Sequence, residues 1–420
     1  MAEGPTQVTP RGPVGLVLGN RRMARLTAAV LVSSVGDPLS QTVSLVLLYQ
    51  ATRSPLAIGL AFGVEMLAVL TVGVFIGAAS DRMDRRRLIV RLEIARGLLV
   101  AVLPLLVGLS VFLVYPALFV LGGIQALVQP SRQASIPELV SPGEVGAANS
   151  LLLTAITLAE ATGFALAGTA LVYLMDPRWL YLGDAFTFLV SALLVATLGE
   201  MGGGILTTRF RGAVPRAWSV MQVRPLLLVA VAAVLFIGML NPALLPLAYL
   251  LSGNGPSAFA LLQVCLIGGA FLGSLAAGRI RGGRRIPALA ASLWVFGAGI
   301  LAVGLSPSLW PAAAAIAISG VGNAVYSVTN NSALMESVES GIRGTLMSAR
   351  FTLTQTAKAV GLAAGSLLTA WLGASLAFTA IGIGLALTAA AYTAFETSSA
   401  KNILPPHGGG RKVGGEGRTN

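Results

Sequence analysis

Apolar residues in this chain come in runs of about twenty, one after another, with charges confined to the short gaps between them. A membrane-crossing helix needs roughly 20 consecutive, mostly apolar residues. The sequence offers twelve such runs, near 24–50, 55–79, 88–108, 112–134, 145–174, 179–199, 225–251, 256–280, 286–305, 309–334, 345–371 and 374–397. Only 10% of the 420 residues are charged, against 55% hydrophobic, whereas soluble domains carry about 25% charged residues. The chain is therefore expected to be an all-α integral membrane protein with twelve transmembrane helices.

The basic residues give those helices a direction, because Lys and Arg accumulate in cytoplasmic loops. Arg21, Arg22 and Arg25 precede span 1, and Arg82, Arg85, Arg86 and Arg87 follow span 2. Arg209, Arg211 and Arg216 lie in the central link, and Arg279, Arg281, Arg284 and Arg285 follow span 8. Arg343 sits between spans 10 and 11, and Lys401, Arg411 and Lys412 come last. All fall on one side if both termini are cytoplasmic, leaving Arg53 and Arg178 on the other. A multi-pass protein of the inner or plasma membrane is expected. The first twenty residues hold Pro5, Pro10 and Pro13 and no apolar run ahead of a small-residue cleavage site. They read as a cytoplasmic tail rather than a secretory signal.

The spans also fall into two similar sets. A shift of 198 residues brings Glu138, Val140, Gly143, Gly146 and Ser150 onto Glu336, Val338, Gly341, Gly344 and Ser348. Both members of each pair flank the loop before the fifth span of their half, as a duplicated six-helix unit requires. The run from Gly278 to Arg285 looks like a worn copy of the Asp81 loop that has lost its aspartate. The expected organisation is a tail at 1–21, a six-helix bundle at 22–199, a linker at 200–224, a second bundle at 225–397 and a disordered tail at 398–420.

Several function classes are excluded. A formal net charge of +12 would suggest nucleic acid. Here the basic residues are dispersed among short loops, with no basic face interleaved with aromatics, so no nucleic-acid partner is expected. The single cysteine, Cys265, excludes an internal disulfide and a thiolate metal cluster. The single histidine, His407, lies in a Gly-rich tail, which argues against a His-based metal site or a Ser-His-Asp triad. No phosphate-binding Gly-x-x-x-x-Gly-Lys-Ser/Thr loop is present. No metal, no cofactor and no enzymatic activity are expected.

The densest charged run is Gly77 to Arg87, GAASDRMDRRR. Its order Gly-x-x-x-Asp-Arg-x-x-Arg-Arg resembles the loop between the second and third spans of major facilitator superfamily transporters, and the resemblance extends from about Arg22 to Glu396. The family usually has glycine where this chain has Asp84. The run from Pro130 to Val140, continuing to Ala148-Asn149-Ser150, is similar to the branch containing macrolide and enterobactin-type siderophore exporters, where the Asp-Arg-x-Asp-Arg-Arg variant also occurs. The resemblance implies two pseudo-symmetric six-helix bundles, alternating access and a monomer. It also implies a cytoplasmic latch of Gly77, Asp81, Arg82, Arg85 and Arg86 against the start of span 11, Gly344 to Ser348. Chemically, Asp81 can accept from Arg82 or Arg85 and sit against exposed amides at a helix start. The arginines can equally meet anionic headgroups. Ser141-Pro142-Gly143-Glu144 reads as a capping box opening span 5. Drug antiporters of the family often carry a Gly-Pro in span 5. This chain has Phe164 in place of the proline, so proton exchange does not follow from that motif. Gly163 and Gly168 remain for close helix packing.

Ionisable residues at mid-span cost roughly 2.5–3.5 kcal/mol on insertion scales and mark pathways or partners. Asp37, beside Pro38 in span 1, Glu65 in span 2 and Glu160 in span 5 are the candidates for proton coupling, since a buried carboxylate that titrates near neutrality can take a proton on one side and release it on the other. Glu65 or Glu160 can also serve only to neutralise Lys358 of span 11. Glu93 and Arg96, three residues apart, read as a structural pair. Gln41, Arg132, Asn241, Gln263, Asn323 and Lys358 are candidates for the substrate pathway, with Arg132 and Lys358 suited to an anionic siderophore. Asp184 reads as structural or as a helix-start group. The expected function is secondary active export of amphipathic small molecules of drug, macrolide or siderophore type, by proton-coupled antiport. The partners would be the substrate, protons and the lipid bilayer. The alternatives are a lysophospholipid or lipid-precursor translocator, and a transport-inactive sensor or scaffold.

Overall fold

The structure, a computed structural model, describes residues 13–75, 84–173, 176–199, 201, 215, 218, 223–280, 284–338 and 340–403. After a short helix at Pro13–Gly19 come α1 (Arg21–Thr52), α2 (Pro55–Phe75), α3 (Arg85–Leu109), α4 (Val114–Leu139), α5 (Val145–Tyr173) and α6 (Trp179–Ala196). The second set is α7 (Arg224–Leu251), α8 (Gly255–Ala277), α9 (Arg285–Gly304), α10 (Leu309–Glu336), α11 (Ser340–Leu372) and α12 (Ala374–Ile403). No strand occurs among the described residues. Eleven of these twelve helices are long and apolar enough to cross a membrane. The twelfth, α11, carries Arg343, Arg350 and Lys358 among many Ser and Thr residues.

Two helices run further than their sequence suggests. α4 continues through Pro130 and Pro137 to Leu139, so most of the segment expected as a loop is helix. The backbone carbonyls that a terminal turn leaves open are held from outside: Asn20 Nδ2 donates to Leu139 O at 2.6 Å and Arg85 Nη1 to Ala134 O at 3.2 Å. α1 likewise passes Pro38 without a break, although proline removes a backbone donor there. The capping box before α5 is formed, Ser141 N donating to Glu144 Oε2 at 3.2 Å. At the α5–α6 turn, Asp176 accepts from the backbone N and the Nε of Arg178, and these bonds hold its carboxyl below the ordinary range.

Helix pairing repeats between the two sets. In the first, α1 packs on α5 and α6, α2 on α4, and α3 on α6. In the second, α7 packs on α11 and α12, α8 on α10, and α9 on α12. Each half also ties the start of its third helix to the end of its fourth by one ion pair: Arg85 to Glu138, and Arg285 to Glu336. Arginines at this end also donate to carbonyls at helix ends, as the negative pole of a helix favours. Arg25 reaches Thr197 O (3.0 Å), Arg86 reaches Leu198 O (3.1 Å) and Arg343 reaches Met335 O (3.0 Å).

The two halves meet at the opposite end. There Tyr49 lies 5.1 Å from Tyr249 and Gln50 Nε2 donates to the Tyr249 hydroxyl at 3.1 Å. Phe164 meets Phe259 edge-on at 6.2 Å, and Ser257 Oγ donates to Gly168 O at 3.0 Å. One apolar core is shared by both halves here, whereas the cores near the arginine end belong to one half each. Among the described residues, every hydrogen bond and ring contact between the halves lies away from the arginines. Tyr173, Trp179, Trp310 and Trp371 ring this same end, all well exposed, as interfacial aromatics do.

Close approach of α7 and α11 depends on a missing side chain. A Cβ on Gly361 would fall 2.1 Å from Leu235 O, and one on Gly238 would fall 2.7 Å from Lys358 O. Gly361→Val must push these helices apart. We expect a loss of about 1–3 kcal/mol, the usual cost of overpacking, visible as a lowered midpoint in thermal unfolding of the detergent-solubilised protein.

Candidate functional site

The interior of the first half holds a chain of charges that joins four helices. Arg96, in the middle of α3, donates from Nη2 to Asp37 Oδ1 of α1 at 2.5 Å, and its Nη1 stands 3.8 Å from Glu93 Oε1. Its guanidinium carbon lies 4.0 Å from the centre of the Phe188 ring of α6, a cation–π contact. Glu93 in turn accepts from Arg132 Nη2 of α4 at 2.8 Å, and Arg132 also donates to Ser33 Oγ (2.9 Å) and Ser191 Oγ (3.4 Å). Glu93, Arg96 and Arg132 are all buried. The Asp37 side chain is 37% exposed, so the network reaches open space only there. Each buried charge has an opposite partner, which low-dielectric burial demands.

This arrangement revises how the pieces relate. Glu93 and Arg96 were expected as a pair of their own. They are in contact, but each has a closer partner on another helix. Arg132, a substrate-pathway candidate, is placed inside the protein with Glu93 rather than on a cavity wall. Asp184, which sequence reasoning set aside, is fully buried in α6 and faces the Gly36 backbone of α1: a Cβ there would fall 2.3 Å from Asp184 Oδ1. The signal was present in the spacing. Ser33, Gly36, Asp37 and Ser40 recur at i, i+3, i+4 and i+7, and so do Asp184, Thr187, Phe188 and Ser191, which puts each set on one helix face.

The other candidates are spread over both halves. Gln41 and Glu65 line one small cavity together with Ser44, Leu45, Ala61, Phe62 and Leu118. Glu65 is within electrostatic reach of Lys358, Asp37 and Arg96, and Glu160 within reach of Asp37. None of Glu65, Glu160 and Lys358 forms an ion pair within 4.0 Å among the described residues. Asn241 is half-buried and donates to Ile237 O of its own helix at 2.8 Å. Gln263 and Asn323 are half-buried on α8 and α10. Of the expected latch, Gly77, Asp81 and Arg82 lie outside the described residues. Arg85 binds Glu138 and Arg86 binds the carbonyls ending α6, both within the first half.

Twelve long helices in two like halves, eleven of them apolar enough to cross a membrane, with charges gathered inside one half and a shared face at one end, fit a membrane transporter rather than an enzyme. Residues 26–252 match the family model described as Major Facilitator Superfamily, and the chain belongs to that superfamily. Its relatives include the uncharacterized MFS-type transporter YfiS of Bacillus subtilis (strain 168), 25% identical over 390 residues that cover 87% of this chain and 91% of YfiS. Another is the uncharacterized MFS-type transporter Rv0037c of Mycobacterium tuberculosis (strain ATCC 25618 / H37Rv), 30% identical over 218 residues, 43% of this chain and 46% of the relative. Among solved structures, the fold is shared with the nucleoside transporter NupG (TM-score 0.72, 10% identity, 89% of this chain and 99% of that one). A bacterial homologue of the iron transporter ferroportin in its inward-facing state gives a TM-score of 0.69 at 17% identity, covering 90% of this chain and 99% of the other. An inward-facing, occupied bacterial homologue of the lysosomal transporter Spinster gives 0.70 at 15%, covering 91% and 98%.

The buried pairs and the rim pairs differ in what their loss costs. Arg132→Ala takes from the buried Glu93 its closest partner and leaves only Arg96 at 3.8 Å, and we expect a destabilisation of about 3 kcal/mol. Arg285→Ala breaks a partly exposed pair and is expected to cost about 1 kcal/mol or less. Parallel unfolding curves of the two variants check the contrast.

Proposed function

We propose that the protein is a secondary transporter that exports amphipathic small molecules across a bacterial-type inner membrane by proton-coupled alternating access. With the arginine-rich end on the cytoplasmic side, as the distribution of basic loop residues favours, the hydrogen bonds and ring contacts given between the halves among the described residues lie toward the exterior, which favours a cytoplasm-open state. In this state a substrate loads from inside. The observation that carries the coupling is the Asp37–Arg96 pair: a carboxylate at mid-helix, partly exposed on one face and bonded to a buried guanidinium on the other. Protonating Asp37 from the cavity releases Arg96 and changes the charge balance between helices of the first half. Glu65 and Glu160 stand within electrostatic reach of this pair or of Asp37 alone, and Lys358 of the second half is within electrostatic reach of Glu65. Gln41, Asn241, Gln263 and Asn323 offer hydrogen bonds to a substrate along a largely apolar path. A drug, macrolide or siderophore suits that mixture, in keeping with the exporter-like segment from Pro130 to Ser150.

Proteoliposomes loaded with a pH-sensitive dye test this directly, using a panel of macrolides, cationic dyes and siderophores. We expect at least one compound to drive proton movement in the wild type, and the response to vanish in Asp37→Asn. Proton movement that survives the substitution moves the coupling to Glu65 or Glu160. Headgroup-dependent lipid movement with no proton flux makes the protein a lipid translocator instead.

The orientation has its own check. In a Cys265→Ser background, Gln41→Cys should react with a membrane-impermeant maleimide in inside-out vesicles and stay unlabelled in right-side-out ones. The reverse pattern overturns the cytoplasm-open assignment.

A further inference from the structure

We propose that Asp184 is a second proton-holding group of the first half, sharing one proton with Asp37 through Arg96. This rests on the proton-coupled reading above and extends it to a residue that faces neither cavity nor solvent.

Within its membrane-spanning helices, the first half buries or half-buries five carboxylates, Asp37, Glu65, Glu93, Glu160 and Asp184, around two buried guanidiniums, Arg96 and Arg132. Arg132 is engaged with Glu93 at 2.8 Å, and Arg96 with Asp37 at 2.5 Å. No guanidinium is left for Asp184, which is 0% exposed. Its Oδ1 accepts from the Thr187 hydroxyl at 3.3 Å, its other donors are neutral hydroxyls rather than cations, and its Oδ2 has no hydrogen-bond partner among the described residues. An ionised carboxylate in that place is a buried, unpaired charge in a bilayer, whereas a carboxylic acid carries none. Its environment thus places the proton on Asp184 in this state.

Geometry links this group to the cavity. Gly36 has no side chain, and a Cβ there would fall 2.0 Å from Thr187 Oγ1 and 2.3 Å from Asp184 Oδ1, so the carboxyl lies directly against the turn of α1 that bears Asp37. Ser40, one turn further along α1, bonds to the same carboxyl. The charged groups acting on Asp184 are Asp37 from α1 and Arg96 from α3, and Arg96 in turn acts on Asp37, Glu93 and Asp184. Arg96, stacked on Phe188 one turn along α6 from Asp184, is thus within electrostatic reach of both aspartates. With the proton on Asp184, Arg96 pairs with Asp37, which is the arrangement present. With the proton on Asp37, Arg96 pairs with the ionised Asp184. One proton is exchanged for one, the charge of the set is constant, and the contact between α1 and α3 is traded for one between α3 and α6. A protonation at the cavity surface is thereby converted into a change of helix partners.

Infrared spectroscopy of the full chain in lipid nanodiscs, without substrate or gradient, tests this. Of the five aspartates, Asp81, Asp84 and Asp176 lie outside the spans. In protein labelled with ¹³C-aspartate, the wild type should show an isotope-shifted stretch of a protonated carboxyl at neutral pH, and Asp184→Asn should lack it. In Asp37→Asn, Arg96 is free to turn to Asp184, and the band should titrate away at least one pH unit lower than in the wild type. A labelled wild type with no protonated aspartate at neutral pH overturns the proposal without any variant having to fold. So does an Asp37→Asn band that titrates where the wild-type band does. Because no substrate is involved, loss of proton flux in the transport assay with these bands intact defeats the export reading and leaves the two-aspartate exchange standing.

Discussion

A charge inside a bilayer must find a partner, and in this chain that requirement organises the whole first half. Arg96 and Arg132 cannot be solvated where they are. They are held by Asp37 and Glu93, which come from different helices, and by Ser33, Ser191 and Phe188 around them. Four helices are thus fixed in relative rotation by a few side chains. The second half has no comparable cluster among its described residues and relies on glycines that let backbones touch, as Gly361 and Gly238 do between α7 and α11. The two bundles share a pattern of helix pairing yet are cohered by different physics.

That division of labour bears on how such a protein works. A bundle cohered by charge pairs responds to a proton, because protonation removes one member of a pair. A bundle cohered by backbone contact does not. On the proton-coupled reading proposed above, the first half is the part suited to sense the proton gradient and the second to move against it as a rigid body. The points of meeting, Tyr49 with Tyr249 and Phe164 with Phe259, are apolar or weakly polar and involve no ion pair.

The number of helices and the side on which arginines gather were legible in the sequence, since both depend only on local composition. The duplication was legible too, through Glu138 and Glu336. What remained hidden was partnership across helices. Glu93 and Arg96 invite pairing by their spacing along one helix, but tertiary packing brings each nearer to a residue far away in sequence. Arg85 and Arg285 stand at like places, yet nothing in the residues themselves said that they bind Glu138 and Glu336. The faces of α1 and α6 that carry the polar residues were written at helical spacing. Reading them required asking which helix each face would meet, and that is a property of the assembled bundle.

The ion pairs Arg85–Glu138 and Arg285–Glu336 each join two helices of one half. Rocking the halves against each other leaves both intact. An interaction present to the same extent in two conformations cancels from the free-energy difference between them. However much these pairs strengthen the fold, they are silent in the equilibrium between outward and inward states. On the alternating-access reading, only contacts that change between the states bear on that equilibrium, and among the described residues the uncharged seam where the halves touch is one of them.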